Sequence, residues 1–236
     1  MEKVTLKVFR FDPDVDKGPY FSTYQVEPRE GMTVIEALLD ILDKQDSSLA
    51  FRYACRGAVC GSCAMYINGS YRLACETQLS MLGNEILVCP LPHLRVIKDL
   101  VVDMSPFFEK YNEIMPYLMT ETPAPQKERL QSPKQRKAVD PVIDCILCGS
   151  CYSACPMTWL DKEYLGPAAL AKAYRFVADS RDENQRERLM IVDSEEGIWR
   201  CHAIFNCVEA CPKKINPADS IQRLRRRVLA QKLKFW

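Results

Sequence analysis

The chain has 236 residues, of which 12 are cysteine, 47% are hydrophobic and 27% are charged. These fractions are ordinary for a globular protein and exclude a disordered or fibrous chain. No apolar run approaches the roughly 18 residues of a membrane-spanning helix, and residues 1–4 lack the charged-then-apolar layout of a signal peptide. We therefore expect a cytosolic, reducing compartment, in which so many cysteines indicate metal binding rather than disulfides.

The net charge of +1 is unevenly distributed. Residues 213–236 contain eight basic residues and one acid, Asp219, whereas residues 1–212 contain 24 basic and 30 acidic residues. Most of the chain is therefore mildly acidic, which argues against nucleic-acid binding. The eight residues of this basic C-terminal segment are Lys213, Lys214, Arg223, Arg225, Arg226, Arg227, Lys232 and Lys234.

The first hundred residues predict a strand-rich α+β fold with one main helix. Alternating apolar and polar residues indicate strands, and Thr33 followed by Glu36 is a capping-box pattern that begins a helix. The pair Asn68-Gly69 favours a tight hairpin turn. The predicted elements are strands over 4–11 and 20–26, which form a hairpin, a helix over 33–44, strands over 65–67 and 71–73, and a strand over 85–89.

After Asp103 the pattern predicts helices only. Ser105-Pro106 is a good helix start, and apolar residues continue at helical spacing to Leu118. Residues 120–141 contain four prolines and many charges, which predicts an extended connection over the surface. Further helices are predicted from Pro167 through Val177 and from Pro217 to Leu233, and the predicted domains are 1–104 and 105–236.

The first cysteine group has the spacing C-x4-C-x2-C followed by a fourth cysteine, which is typical of a plant-type 2Fe-2S ferredoxin. The residues between these cysteines are mostly small, so that backbone N–H groups can approach the sulfur atoms. A four-cysteine zinc site remains the alternative, although it usually has two C-x2-4-C pairs. The group comprises Cys55, Cys60, Cys63 and Cys75.

Two further groups form an internal repeat, CxxCxxCxxxCP and CxxIxxCxxxCP. In two-cluster ferredoxins the fourth cysteine of each run binds the other cluster. This rule predicts a 4Fe-4S site with four thiolates and a second site with three, because Ile204 stands where a ligand is missing and cannot bind iron. A 3Fe-4S cluster suits the second site, and a pair of zinc ribbons does not. The ligands would be Cys145, Cys148, Cys151 and Cys211 for 4Fe-4S, and Cys155, Cys201 and Cys207 for 3Fe-4S.

The remaining cysteine, Cys89, lies in an apolar strand, where we expect a small buried hydrophobic residue. The sequence contains no phosphate-binding glycine loop and no nucleophile–base pair, so no catalytic residue is predicted. Three clusters without a substrate site indicate an electron relay whose ends meet redox partners.

Together these three cysteine runs resemble the iron–sulfur subunits of succinate dehydrogenase and fumarate reductase, over essentially the whole chain. The phrases Pro90-Leu91-Pro92 and Ser180-Arg181-Asp182 support the resemblance. It implies an N-terminal β-grasp, plant-type ferredoxin domain followed by an all-α, bacterial-type ferredoxin domain. The chain itself would hold no site that converts succinate.

The resemblance also implies partners. Electrons would leave the FAD of a succinate-oxidising flavoprotein and pass the 2Fe-2S, 4Fe-4S and 3Fe-4S clusters to quinone at membrane-anchor subunits, which carry haem b in such complexes. The complex would lie on the cytoplasmic face of a bacterial inner membrane, or on the matrix face in a mitochondrion, although no transit peptide is seen. The basic C-terminal segment would face anionic headgroups or anchor loops, and a solvated helix face is the alternative.

By the same resemblance, the quinone side corresponds here to Pro156, Trp159, His202 and Ile204. One departure concerns Trp159, because many relatives have two adjacent aromatic residues where this sequence has Trp159-Leu160. A core role for Trp159 and a plain packing role for His202 are the alternatives. Three other functions stay open: fumarate reduction in the reverse direction, a free ferredoxin-type carrier, and a zinc-stabilised structural protein.

Overall fold

A computed structural model describes residues 3–233, which fall into two compact units. The first unit comprises Met1–Met104 with Ile146–Ser153, and the second comprises Ser105–Cys145 with Ala154–Trp236. Residues 146–153 thus group with the first unit, whereas the predicted range 105–236 includes them in the second domain. Within residues 3–233, no helix is both long enough and apolar enough to cross a bilayer.

The first unit is built on a five-stranded sheet with the strand order β2-β1-β5-β3-β4. The pair β1 and β5 is parallel, and the other neighbouring pairs are antiparallel. A separate antiparallel ladder joins β6 to β7. The strands are β1 (Val4–Arg10), β2 (Tyr20–Val26), β3 (Ala64–Ile67), β4 (Ser70–Leu73), β5 (Glu85–Cys89), β6 (Val96–Lys98) and β7 (Val101–Val102).

The helix α1 (Val34–Lys44) packs its apolar face into the same core as the sheet. Its start is fixed by the predicted capping box, in which the Thr33 N–H donates to Glu36 Oε2 at 2.8 Å. Leu38 and Ile41 are fully buried, and each such side chain contributes about 1.5–3 kcal/mol of hydrophobic stabilisation.

The two predicted hairpins are confirmed. Strands β1 and β2 pair in register from Val4 with Val26 to Arg10 with Tyr20. Between β3 and β4, Asn68 and Gly69 both have positive φ, at 47° and 76°, as a tight two-residue turn requires.

Residues 146–153 belong to the first unit because their side chains contact its core. Ile146 and Cys148 pack against the buried cluster of the sheet, and Ser153 Oγ donates to the carbonyl oxygen of Pro92. A Cβ on Gly149 would lie 2.7 Å from Met104 Cε, so the backbone approaches closely there. Such contacts between residues far apart in sequence leave no local signal.

Described residues of the second unit form helices and short helical turns, with α6 against α9, α7, α2 and α3. The predicted helices near 167–177 and 217–233 are confirmed. The helices are α2 (Ser105–Glu113), α3 (Pro133–Ile143), α5 (Pro156–Leu160), α6 (Gly166–Val177), α7 (Gln185–Val192), α8 (Asn206–Glu209) and α9 (Pro217–Leu233), and the short α4 (Ser150–Ser153) lies in the first unit.

Two predictions for this region are wrong. Helix α2 ends at Glu113 rather than near Leu118, because Met115 is left-handed at φ 51° and Pro116 has no N–H to continue the helix. The stretch predicted as an extended connection contains α3, whose first residue is Pro133. Ser132 caps α3 through a reciprocal hydrogen-bond pair with Gln135.

A buried polar network holds the segment that leads into the first cysteine loop. Arg10 is 6% exposed and donates to Asp99 Oδ1 at 2.9 Å and to Tyr24 Oη at 2.7 Å, and it also pairs with Asp46. The other oxygen of Asp99 accepts from the Ala50 N–H at 2.9 Å. The backbone five residues before Cys55 is therefore held by Asp99, which Arg10 of β1 holds in turn.

The second unit has its own buried ion pair. Arg188 and Asp182 have fully buried side chains and contact each other at 2.5 Å. Arg188 also donates to the carbonyl oxygens of Met115 and Tyr117, and its guanidinium lies 4.7 Å from the ring centre of Phe176. Since a buried charge is costly unless it is paired and hydrogen-bonded, these contacts together make its burial tolerable.

Candidate iron–sulfur sites

The hairpin of β3 and β4 brings Cys63 and Cys75 to neighbouring positions. Cys63 directly precedes β3, Cys75 is the second residue after β4, and the Ala74 N–H donates to the Cys63 carbonyl at 3.0 Å. Cys63 is buried, whereas Cys55 and Cys60 are exposed on the preceding loop. Residues 55–63 together with Cys75 are called the four-cysteine loop below.

Backbone amides surround two sulfur atoms of the four-cysteine loop. Each N–H···S distance is 3.3–3.4 Å, a range suited to sulfur acceptors. Amide donors of this kind stabilise thiolates and the negative charge of an iron–sulfur cluster. The donors to Cys55 Sγ are the amides of Gly57, Val59 and Cys60, and the donor to Cys75 Sγ is the amide of Ala58.

Left-handed backbone turns produce this arrangement of amides. Arg56, Ala58 and Gly61 have φ values of 53°, 56° and 73°. Alternation of left-handed and ordinary residues turns successive N–H groups towards one side, which forms an anion-binding concavity. The left-handed state costs about 1–2 kcal/mol at a residue with a Cβ, so the loop holds strain at Arg56 and Ala58.

The acidity of the thiols differs within this loop. The Ser62 hydroxyl lowers the pKa of Cys60 to about 6, whereas burial raises the pKa of Cys63 to about 12. Because iron binds the thiolate, Cys60 is prepared for ligation at neutral pH, and Cys63 would become a thiolate only with the metal.

The loop after Cys145 repeats the left-handed pattern at Leu147 and Gly149, with φ values of 54° and 81°. Within the first unit, this loop lies against the four-cysteine loop. A Cβ on Gly61 would be 2.7 Å from the Ile146 carbonyl oxygen and 2.9 Å from Cys148 Cα. Cys148, a predicted ligand of the 4Fe-4S cluster, thus contacts the loop of the predicted 2Fe-2S ligands.

The four predicted 4Fe-4S ligands are distributed between the units. Cys148 and Cys151 belong to the first unit, and Cys145 and Cys211 belong to the second. In the second unit, Cys211 Sγ accepts from the Ile215 N–H at 3.4 Å, and Lys214 between them is left-handed at φ 56°. Cys148 lies between two left-handed residues and Cys211 has an amide donor, and the common site of the four ligands stays a prediction.

Cys155, Cys201 and Cys207 line one cavity within the second unit, called the three-cysteine cavity below. Burial raises the pKa of Cys207 to about 12, and the neighbouring charges of Cys155 and Cys201 raise it further. Burial also raises the pKa of Cys155, against the opposing amides of Met157 and Thr158. The three sulfur atoms are therefore close enough to interact electrostatically.

The predicted quinone-side residues divide into two sets. Pro156, His202 and Ile204 line the three-cysteine cavity, whereas Trp159 lies on α5 outside its lining and is 38% exposed. Ile204 is 50% exposed and stands between two left-handed residues, Ala203 and Phe205. An apolar side chain at the rim of a buried thiolate site thus reaches solvent.

The sequence did not predict the position of Arg225. Its guanidinium donates to the carbonyl oxygens of Ile198 and Cys201, each at 2.6 Å through Nη2, and stacks 5.6 Å from Trp199. Arg225 therefore holds a predicted ligand of the 3Fe-4S cluster in place instead of facing a surface.

Other members of the basic C-terminal segment are also engaged within the second unit. Arg227 donates to the Val177 carbonyl, Arg223 pairs with Asp219, and Lys232 pairs with Asp193. Lys234 lies outside the described residues. The segment is consequently less available for an external anionic surface than its composition suggested.

Two further observations concern metal binding. Among residues 3–233, no three His, Cys, Asp or Glu side chains converge closely enough to hold a single metal ion. A cluster does not require such convergence, because its thiolates bind different irons. Cys89, at the end of β5, is half-buried, and burial raises its pKa.

Known protein families match both halves of the chain. Residues 5–109 match the family described as a 2Fe-2S iron–sulfur cluster binding domain, and residues 141–215 match the 4Fe-4S dicluster domain family. The cysteine loops and these two matches define an iron–sulfur protein of the electron-transfer class.

Curated relatives identify the family. The chain is 43% identical over 220 residues to the succinate dehydrogenase iron–sulfur subunit of Paracoccus denitrificans, covering 92% of this chain and 85% of the relative. It is 40% identical over 231 residues to the subunit of the same name from Coxiella burnetii, covering 97% and 98%. A solved chain described as the Mycobacterium smegmatis Sdh1 complex in the apo form superposes with a TM-score of 0.88, at 28% identity over 98% of both chains.

The chain belongs to the family of succinate dehydrogenase iron–sulfur subunits. The predicted resemblance, the electron-transfer function, the role as a subunit of an oxidoreductase complex and the presence of 2Fe-2S and 4Fe-4S domains are all confirmed. The mixed α and β content, with a 2Fe-2S domain before a 4Fe-4S domain, is confirmed as well.

Proposed function

We propose that this chain relays electrons from the FAD of a partner flavoprotein, which oxidises succinate, to quinone at membrane-anchor subunits. The relay would use a 2Fe-2S, a 4Fe-4S and a 3Fe-4S cluster in that order. When bound, these clusters supply one-electron storage and transfer. The observation that carries the proposal is the combination of a four-cysteine loop rich in amide donors with a separate cavity lined by three cysteines.

We assign the ligands as the cysteine spacing predicts. The surrounding backbone fits thiolate-bound clusters, since left-handed residues or amide donors occur at each group. The contact of Gly61 with Cys148 supports a direct step from the first cluster to the second. The sets are Cys55, Cys60, Cys63 and Cys75 for 2Fe-2S; Cys145, Cys148, Cys151 and Cys211 for 4Fe-4S; and Cys155, Cys201 and Cys207 for 3Fe-4S.

We also propose the finer fold assignment, a β-grasp domain over 1–104 and an all-α ferredoxin domain over 105–236. The sheet with its packed helix α1 and the helical second unit support it. Residues 146–153 would then be the part of the second domain that contacts the core of the first unit.

The exit to quinone would lie at the three-cysteine cavity. Pro156, His202 and Ile204 line it, and Trp159 would act from the exposed face of α5. Four exposed apolar side chains suit an interface with anchor subunits rather than water. They are Trp159, Leu160, Ile204 and Phe205.

The location follows from the partners. The chain would bind peripherally, on the cytoplasmic face of a bacterial inner membrane, through anchor subunits that carry haem b. The members of the basic segment best suited to anionic headgroups or anchor loops are Lys213, Lys214 and Arg226. Other basic side chains of the segment already bind partners within the second unit.

Succinate and quinone added in turn to isolated membranes test this function. Succinate should reduce the clusters, as seen by electron paramagnetic resonance, and a quinone analogue should reoxidise them. The native chain should also purify with a flavoprotein. A lone chain that succinate does not reduce in membranes would indicate a free ferredoxin-type carrier, and preferential electron flow to fumarate would indicate the reverse direction.

A further inference from the structure

Tyr164 is a buried hydroxyl-bearing residue that lines the three-cysteine cavity. It lies between α5 and α6 and is 1% exposed. Its ring belongs to the apolar core of the second unit. The cavity therefore contains one phenol beside three cysteines.

The hydroxyl of Tyr164 has no hydrogen-bond partner among the described residues, unlike that of Tyr174 in the same core. Tyr174 Oη accepts from Arg223 Nη1 at 3.3 Å and donates to the Ala138 carbonyl at 3.5 Å. Polar groups inside folded proteins are nearly always paired. A partner for Tyr164 is therefore expected within the cavity.

Tyr164 and the three cysteines line the same cavity, which brings the phenol close to the predicted cluster ligands. A tyrosine hydroxyl is protonated at neutral pH, and burial raises the pKa of Tyr164 still further. A protonated phenol can donate to a sulfur acceptor.

We propose that Tyr164 donates a hydrogen bond to a sulfur atom of the cluster held by Cys155, Cys201 and Cys207, and thereby raises the reduction potential of that cluster. This inference rests on the proposed 3Fe-4S assignment. The reduced cluster carries one more electron than the oxidised cluster, so a donor to sulfur stabilises the reduced form more. No covalent bond is formed or broken.

Redox titration of the intact complex in membranes, followed by electron paramagnetic resonance, tests the proposal. Tyr164→Phe keeps the ring and removes only the hydroxyl. We expect the equilibrium ratio of oxidised to reduced 3Fe-4S cluster to rise about tenfold at a given potential. For one electron this corresponds to a reduction potential lower by about 59 mV. Tyr174→Phe removes a buried hydroxyl of the same core and should leave the 3Fe-4S potential unchanged. The 2Fe-2S potential should stay unchanged in both variants.

A second measurement guards against a variant that does not assemble. Replacing Tyr164 by 3-fluorotyrosine keeps the shape and strengthens the donor, so the potential should rise. Pulsed resonance after exchange into D₂O should also show one exchangeable proton fewer at the cluster in Tyr164→Phe.

The outcomes separate the two hypotheses. An intact 3Fe-4S signal with an unchanged potential in Tyr164→Phe, or in the fluorotyrosine protein where Tyr164→Phe does not assemble, overturns the role of Tyr164. Absence of a 3Fe-4S signal from the unaltered complex overturns the proposed cluster assignment instead.

Discussion

In the four-cysteine loop, backbone amides donate to sulfur, with three N–H groups on Cys55 and one on Cys75. The three-cysteine cavity has amides at Cys155 as well, but its lining also includes the side-chain-bearing residues Tyr164 and the half-exposed Ile204. Amide donors are independent of side-chain identity, whereas a side-chain lining is set by each residue. We infer that the first site depends on the backbone conformation of its loop and that individual side chains tune the second.

The largest expected effect comes from Gly61→Ala in the four-cysteine loop. The new Cβ would lie 2.7 Å from the Ile146 carbonyl oxygen, in a backbone with φ 73°. We expect a loss of about 3 kcal/mol or more in unfolding free energy and loss of the 2Fe-2S resonance signal. Chemical unfolding and paramagnetic resonance of the purified complex measure both.

Gly69→Ala is the matched control. Gly69 has nearly the same φ, 76°, but open space around its Cβ position. Gly69→Ala should lower the unfolding free energy by only about 1–2 kcal/mol and should retain the 2Fe-2S cluster. Equal effects of the two substitutions would show that backbone strain, and not the contact with the loop of Cys148, causes the effect of Gly61→Ala.

Arg188→Met should weaken the second unit selectively. It leaves the carboxylate of Asp182 buried without its partner, which costs about 3–5 kcal/mol. The control Arg136→Met breaks the exposed ion pair with Asp140 and should lower the unfolding free energy by at most about 0.5 kcal/mol. In thermal inactivation of the Arg188 variant, the 3Fe-4S signal should disappear before the 2Fe-2S signal, and simultaneous loss would contradict a selective effect on the second unit.

Asp46→Asn tests the polar network of the first unit through pH. The hydroxyls of Ser48 and Tyr24 hold the pKa of Asp46 well below its ordinary value of 3.8. A depressed folded-state pKa gives stability that is complete above the unfolded-state value and is lost as pH falls through the folded-state value.

The unaltered chain should therefore exceed Asp46→Asn in unfolding free energy by about 1–2 kcal/mol at neutral pH. This difference should stay constant down to about pH 5 and narrow only below pH 4, measured by urea unfolding. Asp43→Asn, at an exposed position of α1, should change stability by less than about 0.5 kcal/mol at any pH. A difference that already narrows between pH 7 and 5 would refute the assignment to Asp46.

Ile204→Cys should have the smallest effect on stability, because its side chain is half exposed. It offers a fourth thiolate at the rim of the three-cysteine cavity. We expect partial or complete conversion of the 3Fe-4S signal into that of a 4Fe-4S cluster. An unchanged oxidised 3Fe-4S signal would show that Ile204 does not occupy the position of the missing ligand.

Local signals in the sequence predicted much of the fold. The turn pair Asn68-Gly69 and the capping box of Thr33 act on neighbouring residues, so their structures could be inferred without tertiary contacts. The start of α3 has an equally local signal in Ser132 and Pro133, although the prolines and charges around it favour an extended connection. The early end of α2 was signalled by Pro116.

The candidate sites were predictable only in part. Cysteine spacing predicts ligand groups because each group is local, but the positions of Tyr164 and Arg225 beside the third group depend on how α6 and α9 pack. Tyr164 resembled any core aromatic residue, and Arg225 was one of several basic residues. The contact of residues 146–153 with the first core likewise has no local signal.

A potentiometric resonance titration of the intact complex tests the central claim most directly, that the two sites hold clusters of different stoichiometry. We predict three separable one-electron transitions, with signals of a 2Fe-2S and a 4Fe-4S cluster on reduction and of a 3Fe-4S cluster on oxidation. A chain with zinc and no iron, or an oxidised complex without a 3Fe-4S signal, would contradict the account.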